Sequence, residues 1–165
     1  MPRVVLIGPM GAGKTTVGEL LAEALGVASR DTDADVEALE GRSISDIFVE
    51  SGEAHFRDLE RKAVAEALAT HDGVLALGGG AVLDPATREL LAGHDVVFLR
   101  VGLSDAVRRV GLGSARPLLL GNVRGRIKAL LDERTPVYES VATLVVDTDG
   151  RTPDEVAADI VAALS

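Results

Sequence analysis

The stretch Gly8-Pro9-Met10-Gly11-Ala12-Gly13-Lys14-Thr15-Thr16 follows directly on the apolar run Val4, Val5, Leu6, Ile7. It fits the spacing G-x-x-x-x-G-K-[ST] at Gly8, Gly13, Lys14 and Thr15. Between a strand and a helix, glycines let the backbone turn back and aim several N–H groups at one point. The helix that follows adds its positive N-terminal end. Such a cradle suits a phosphate chain, with Lys14 reaching the terminal phosphates and the Thr15 hydroxyl ligating Mg²⁺. The plainer alternative is a glycine-rich turn with an incidental lysine. Against it, Lys14 is the only lysine before position 62. The dinucleotide spacing G-x-G-x-x-G fails, because Thr16 stands where its last glycine belongs.

A phosphate cradle names a nucleotide, not a reaction, so the acceptor must be sought elsewhere. Asp31, Asp33 and Asp35 form a carboxylate run at the end of a short strand-like segment. Alternation would aim them the same way if the strand persists. An EF-hand is excluded, because Val36 and Arg42 occupy its glycine and glutamate positions. One carboxylate can hold Mg²⁺ through water and another can engage a substrate hydroxyl. Alternatively, Asp31 or Asp33 caps a helix from Ala34. Arg57 and Glu60 stand three apart on one helix face, as a functional pair or as a surface ion pair worth about 0.5 kcal/mol or less. Gly78, Gly79 and Gly80 after a strand allow close approach of a ligand, or make a flexible turn. Arg116 lies in the irregular stretch 111–122, readable as a slack connection or as a lid. There it can act as an arginine finger or be a solvated side chain. Arg134 precedes Pro136, where a helix C-terminal cation is the plain reading. His55, His71 and His94 sit among charged or turn residues and are expected at the surface without a role.

These residues need a frame to bring them together. Apolar runs at 3–8, 74–78, 95–101 and 142–148, with a shorter one at 26–31, read as strands. Helical spacing marks 14–25 and 53–69. Asp84-Pro85 and Thr152 with Glu155 are helix starts, and Ser104 can cap the segment after it. Strands alternating with helices imply a three-layer α/β fold around a largely parallel sheet. The 165 residues make one domain, and the absence of cysteine excludes a disulfide framework and a thiolate zinc site. A formal net charge of −9 argues against general nucleic-acid binding. No apolar stretch suggests a membrane span or a leader, and the expected location is the cytoplasm. The expected state is a monomer.

Taken together, GPMGAGKTTVGELLAEALG, DTD, GRSISDIF, GE..FR..E, LGGGAV, RPLL and ER.P.Y resemble the shikimate kinase family over nearly the whole chain. The combination is far more selective than the phosphate loop alone. The resemblance implies ATP-dependent, Mg²⁺-dependent phosphorylation of the shikimate 3-hydroxyl, in aromatic amino-acid biosynthesis. It also implies a P-loop fold with strand order 2-3-1-4-5, a substrate-binding region near 33–60 and a lid near 111–122. Gly11, Ala12, Gly13, Lys14, Thr15 and Thr16 then hold ATP phosphates, while Thr15 and Asp31 take the metal. Asp33 holds shikimate hydroxyls beside the reacting oxygen. Arg57 and Arg134 grip the carboxylate beside Gly79 and Gly80, with Glu60 in support. Arg116 meets the transferring phosphate. Arg109, Arg151 and Pro153 belong to the adenine side.

Overall fold

The computed structural model of the chain describes residues 1–113 and 123–164. Five parallel strands form one sheet in the order β2-β3-β1-β4-β5: β1 Val4–Ile7, β2 Ser29–Asp31, β3 Val74–Ala76, β4 Val96–Arg100 and β5 Leu144–Asp147. Strand β1 pairs with β3 through Leu6–Ala76 and with β4 through Leu6–Val97. The chain leaves β1 toward one side for β2 and β3, and crosses to the other for β4. The crevice at the carboxyl end of β1 is therefore the switch point where α/β sheets bind ligands.

Alternation along β1 feeds two cores. Val4 and Leu6 pack with Val17 and Leu21 of helix α1 (Lys14–Leu25) and Ile160 of helix α8 (Pro153–Leu164). Val5 and Ile7 pack on the opposite face with Val64 and Leu68 of helix α4 (Glu53–Thr70) and Tyr138 of helix α7 (Val123–Val141). Every β1 side chain is buried, and full burial of each is worth about 1.5–3 kcal/mol. A third cluster, Val36, Ile47 and Phe56, seals helix α2 (Thr32–Glu40) and helix α3 (Ile44–Ser51) onto α4. Helix α5 (Pro85–Leu91) and helix α6 (Leu103–Gly113) complete the set among the described residues.

Several local expectations meet the structure as stated. Asp84 accepts from the Ala86 N–H at the start of α5. Thr152 and Glu155 make a reciprocal capping box, with Oγ1 accepting from the Glu155 N–H and Oε1 accepting from the Thr152 N–H. Others differ. Strand β2 stops at Asp31, which caps α2 by accepting from the Asp33 N–H, so Asp33 is neither a cap nor a continuation of the strand. Helix α6 begins at Leu103, one residue before Ser104, so Ser104 is not its cap. Helix α7 continues through Pro136. The proline costs one helical hydrogen bond, but Val137, Tyr138 and Val141 beyond it pack against the sheet and hold the helix. His55 is exposed beside Glu40, whereas His71 is half-buried, its ring within hydrogen-bond distance of the Val74 carbonyl. Residues 114–122, which include Arg116 and most of the expected lid, lie outside the described residues.

Candidate functional site

The loop after β1 wraps the start of α1. Gly13, with φ of 89°, is the α1 N-cap in the left-handed region where a side chain would strain the backbone. Lys14 curls under the loop and donates to the carbonyls of Gly8 at 2.7 Å and Pro9 at 3.0 Å. Burial lowers its pKa to about 8; Arg134 pushes the same way, while Asp33 and Asp31 oppose. Thr15 donates to Asp31 Oδ2 at 3.1 Å. The hydroxyl and the carboxylate thus stand together at the mouth of the loop, both hard oxygen ligands. Among the described residues no cluster of three or more His, Cys, Asp or Glu side chains makes a metal cage. Mg²⁺ keeps several waters and takes one or two protein oxygens beside substrate phosphates, so Thr15 and Asp31 fit it.

A second group converges on the three glycines after β3. A Cβ added to Gly78 would lie 2.5 Å from Asp33 Oδ1 and 2.9 Å from Glu60 Oε2, so both carboxylates rest on this backbone. The Gly78 N–H donates to Thr32 Oγ1, which ties the glycine run to α2. A Cβ on Gly80 would lie 2.6–2.9 Å from the Arg57 guanidinium, and one on Gly79 would lie 3.8 Å from Arg134 Nη1. The two guanidiniums therefore sit over adjacent residues of one turn. Arg57 donates to Glu60 at 2.8 Å, and Glu60 is only 4% exposed, which rules out the surface ion pair. Arg134 Nε is buried and has no hydrogen-bond partner among the described residues. A buried donor without an acceptor costs about 1–3 kcal/mol, which an incoming anion can recover.

Gly79 joins the two groups. Its Cβ position is 3.6 Å from the Met10 nitrogen and 3.7 Å from the Gly8 oxygen, both in the phosphate loop. Asp33 lies between, close enough to Lys14 for their charges to interact. Burial raises its pKa to about 6, helped by the neighbouring charges of Asp31 and Glu60 and opposed by Lys14. Burial likewise raises Glu60, against the lowering effect of Arg57. The glycine loop with its buried lysine and the pair of guanidiniums thus meet across a half-buried carboxylate.

Two hollows flank this centre. One, about 170 Å³, is bounded by Gly11, Gly13, Thr16, Arg109, Thr148 and Pro153. Arg109 is fixed there, donating to the Gly11 carbonyl at 3.1 Å and to the Thr148 carbonyl at 2.9 Å. Arg151 borders the same hollow, but its guanidinium is turned to Asp159 at 2.6 Å. The other hollow, about 340 Å³, opens on the outer side of Arg57 toward Arg61 and Asp84 and includes neither Asp33 nor Lys14. The larger hollow shares Arg57, Glu60 and Gly80 with the group around the glycine turn. All the expected site residues except Arg116 are therefore placed in or beside this crevice. The sequence reading gave no role to Tyr138, although it stands four residues after Arg134 and is the chain's one tyrosine.

Comparison with known proteins bears on this arrangement. The family model for shikimate kinase matches residues 10–165. A shikimate kinase of Salinispora arenicola is 62% identical over 164 residues, spanning 99% of this chain and 98% of that one. One of Thermobifida fusca is also 62% identical, spanning 98% of this chain and 93% of its own. Among solved structures, shikimate kinase from Acinetobacter baumannii in complex with shikimate superposes with a TM-score of 0.92. It is 36% identical and spans 99% of this chain and 93% of that chain.

Proposed function

The chain belongs to the shikimate kinase family, and from that premise we propose how its own residues phosphorylate shikimate with ATP. The observation that carries the proposal is the placement of the Arg57 and Arg134 guanidiniums over Gly80 and Gly79, one residue from the phosphate loop contact at Met10. The loop N–H groups and Lys14 take the β- and γ-phosphates of ATP, and Lys14 exchanges its bonds to loop carbonyls for phosphate oxygens. The hollow beside Arg109, Thr148 and Pro153 takes the adenine side. Thr15 and Asp31 would hold Mg²⁺, which when bound neutralises phosphate charge. Arg57 and Arg134 bind the shikimate carboxylate as a fork, and Glu60 holds Arg57 in place.

Asp33 then faces the 3-hydroxyl. It orients that oxygen in line with the γ-phosphorus and accepts its proton as the new O–P bond forms and ADP leaves. A loose transition state needs little early deprotonation, so orientation is the larger share of its work. Arg116 on a closing lid would meet the transferring phosphate and help exclude water, limiting ATP hydrolysis. The segment 33–60 serves as the substrate-binding region of a single domain. The same reading makes the protein a cytoplasmic monomer; among the described residues no helix is long and apolar enough to cross a membrane.

The test is ADP formation with shikimate, gluconate, a nucleoside monophosphate or no acceptor. Shikimate alone should stimulate turnover, and magnesium chelation should abolish it. Stimulation by another acceptor and not by shikimate would overturn the assignment. An equal rate with no acceptor would reduce the protein to a nucleotide-binding module.

A further inference from the structure

The hydroxyl of Tyr138 has no part in the mechanism above, yet it occupies a telling place. Tyr138 is 0% exposed, with its ring against Phe98 at a centroid distance of 4.9 Å. Burial of that ring in the core is explained by packing alone. The hydroxyl is not. It reaches across 59 residues of sequence to donate to the carbonyl of Gly79. The Arg134 guanidinium, four residues back on α7, sits over the same glycine, its Nη1 3.8 Å from where a Gly79 Cβ would lie.

Two consequences follow from peptide geometry. The Gly79–Gly80 bond is trans, so a carbonyl held toward α7 sends the Gly80 N–H the opposite way. Neither the Gly79 nor the Gly80 N–H has an acceptor among the described residues, and Gly80 is buried. The turn so fixed also lies under the Arg134 guanidinium, whose Nε has no partner among the described residues. One phenol oxygen therefore fixes the turn over which both guanidiniums sit.

We propose that Tyr138 is a positioning residue for the hydroxy-acid substrate: its hydroxyl locks the Gly79 carbonyl, and with it the turn under the Arg134 guanidinium, in the arrangement that receives the carboxylate. This rests on the assignment of Arg134 to the acid grip. Tyr138→Phe keeps the ring against Phe98 and removes only the hydroxyl. A lost hydrogen bond beside a charged group predicts a roughly five- to tenfold rise in KM for shikimate. The KM for ATP should stay within about twofold, because the nucleotide hollow does not include Tyr138.

A purely structural role would lower the melting temperature without selecting one substrate. The deciding readout is therefore the preference for shikimate over its methyl ester. The wild type should prefer the free acid, and Tyr138→Phe should narrow that preference by about the factor lost in KM. A variant with unchanged shikimate KM, with both KM values raised alike, or with the acid-to-ester ratio intact would overturn the proposal. Wild-type protein that does not turn over shikimate at all would instead overturn the assignment of function on which it rests.

Discussion

Asp33 and Lys14 each carry a charge that their surroundings resist. Burial lifts the Asp33 carboxyl to about 6 and brings the Lys14 ammonium down to about 8. Below the first value Asp33 is protonated and cannot take the proton of a hydroxyl. Above the second Lys14 is neutral and cannot attract phosphate. The profile of kcat/KM for ATP should therefore be a bell with limbs near pH 6 and pH 8. A flat profile across that interval would contradict the pairing. Stability runs the other way. The folded pKa of Asp33 lies above its ordinary 3.8, so its burial as an anion destabilises the fold above about pH 6, and that cost fades as pH falls from 6 toward 3.8. Asp33→Asn should lower kcat by about a hundredfold or more. At mildly alkaline pH it should also raise the melting temperature by roughly 2–4 °C for each kcal/mol recovered. A variant that loses both stability and turnover would make Asp33 structural.

The elements supply what single residues cannot. Helix α4 presents Arg57, α7 presents Arg134, and the turn after β3 lets both come close because it has no side chains. Gly80 has φ of −102° and ψ of 1°, a conformation open to alanine. What alanine would meet is the far end of Arg57, which would have to swing off its bond to the buried Glu60. Gly80→Ala should therefore lower the melting temperature by roughly 2–4 °C for each kcal/mol lost from that pair. Its shikimate KM should rise about tenfold or more by steady-state kinetics, and a KM near wild type would place Arg57 outside the grip.

These elements were unequally legible. The limits 14–25 of α1 follow from apolar spacing and appear unchanged in the structure. The run Asp31 to Asp35 invited a persistent strand, but Asp31 caps α2 and turns the chain into a helix, a choice that local alternation does not contain. The helix through Pro136 was illegible for the reverse reason. Local chemistry argues for a stop, and packing of Tyr138 and Val141 on the sheet overrides it.

At the scale of the molecule, the net charge of −9 coexists with Lys14, Arg57 and Arg134 gathered around the glycine loop and the turn after β3. The two ligands should then be separable. Lys14→Ala should abolish the thermal shift caused by ATP and keep the one caused by shikimate; Arg134→Ala should do the converse, read by differential scanning fluorimetry. Loss of both shifts in either variant would mean a single merged site. Motifs announced the residues of each half, since their spacing is local. Their meeting came from the family resemblance and not from local spacing, because it depends on contacts such as Gly79 with Met10 and Arg109 with Gly11, the latter 98 residues apart.

The chain has one tyrosine and no tryptophan, and that tyrosine is Tyr138. Its near-ultraviolet emission thus comes from a single ring, whose phenol is bonded to Gly79, the residue under the arginine proposed for the acid. Titration with shikimate needs no attached dye: quenching or enhancement of that light reads the carboxylate end alone, while nucleotide filling the far hollow leaves it dark to the instrument.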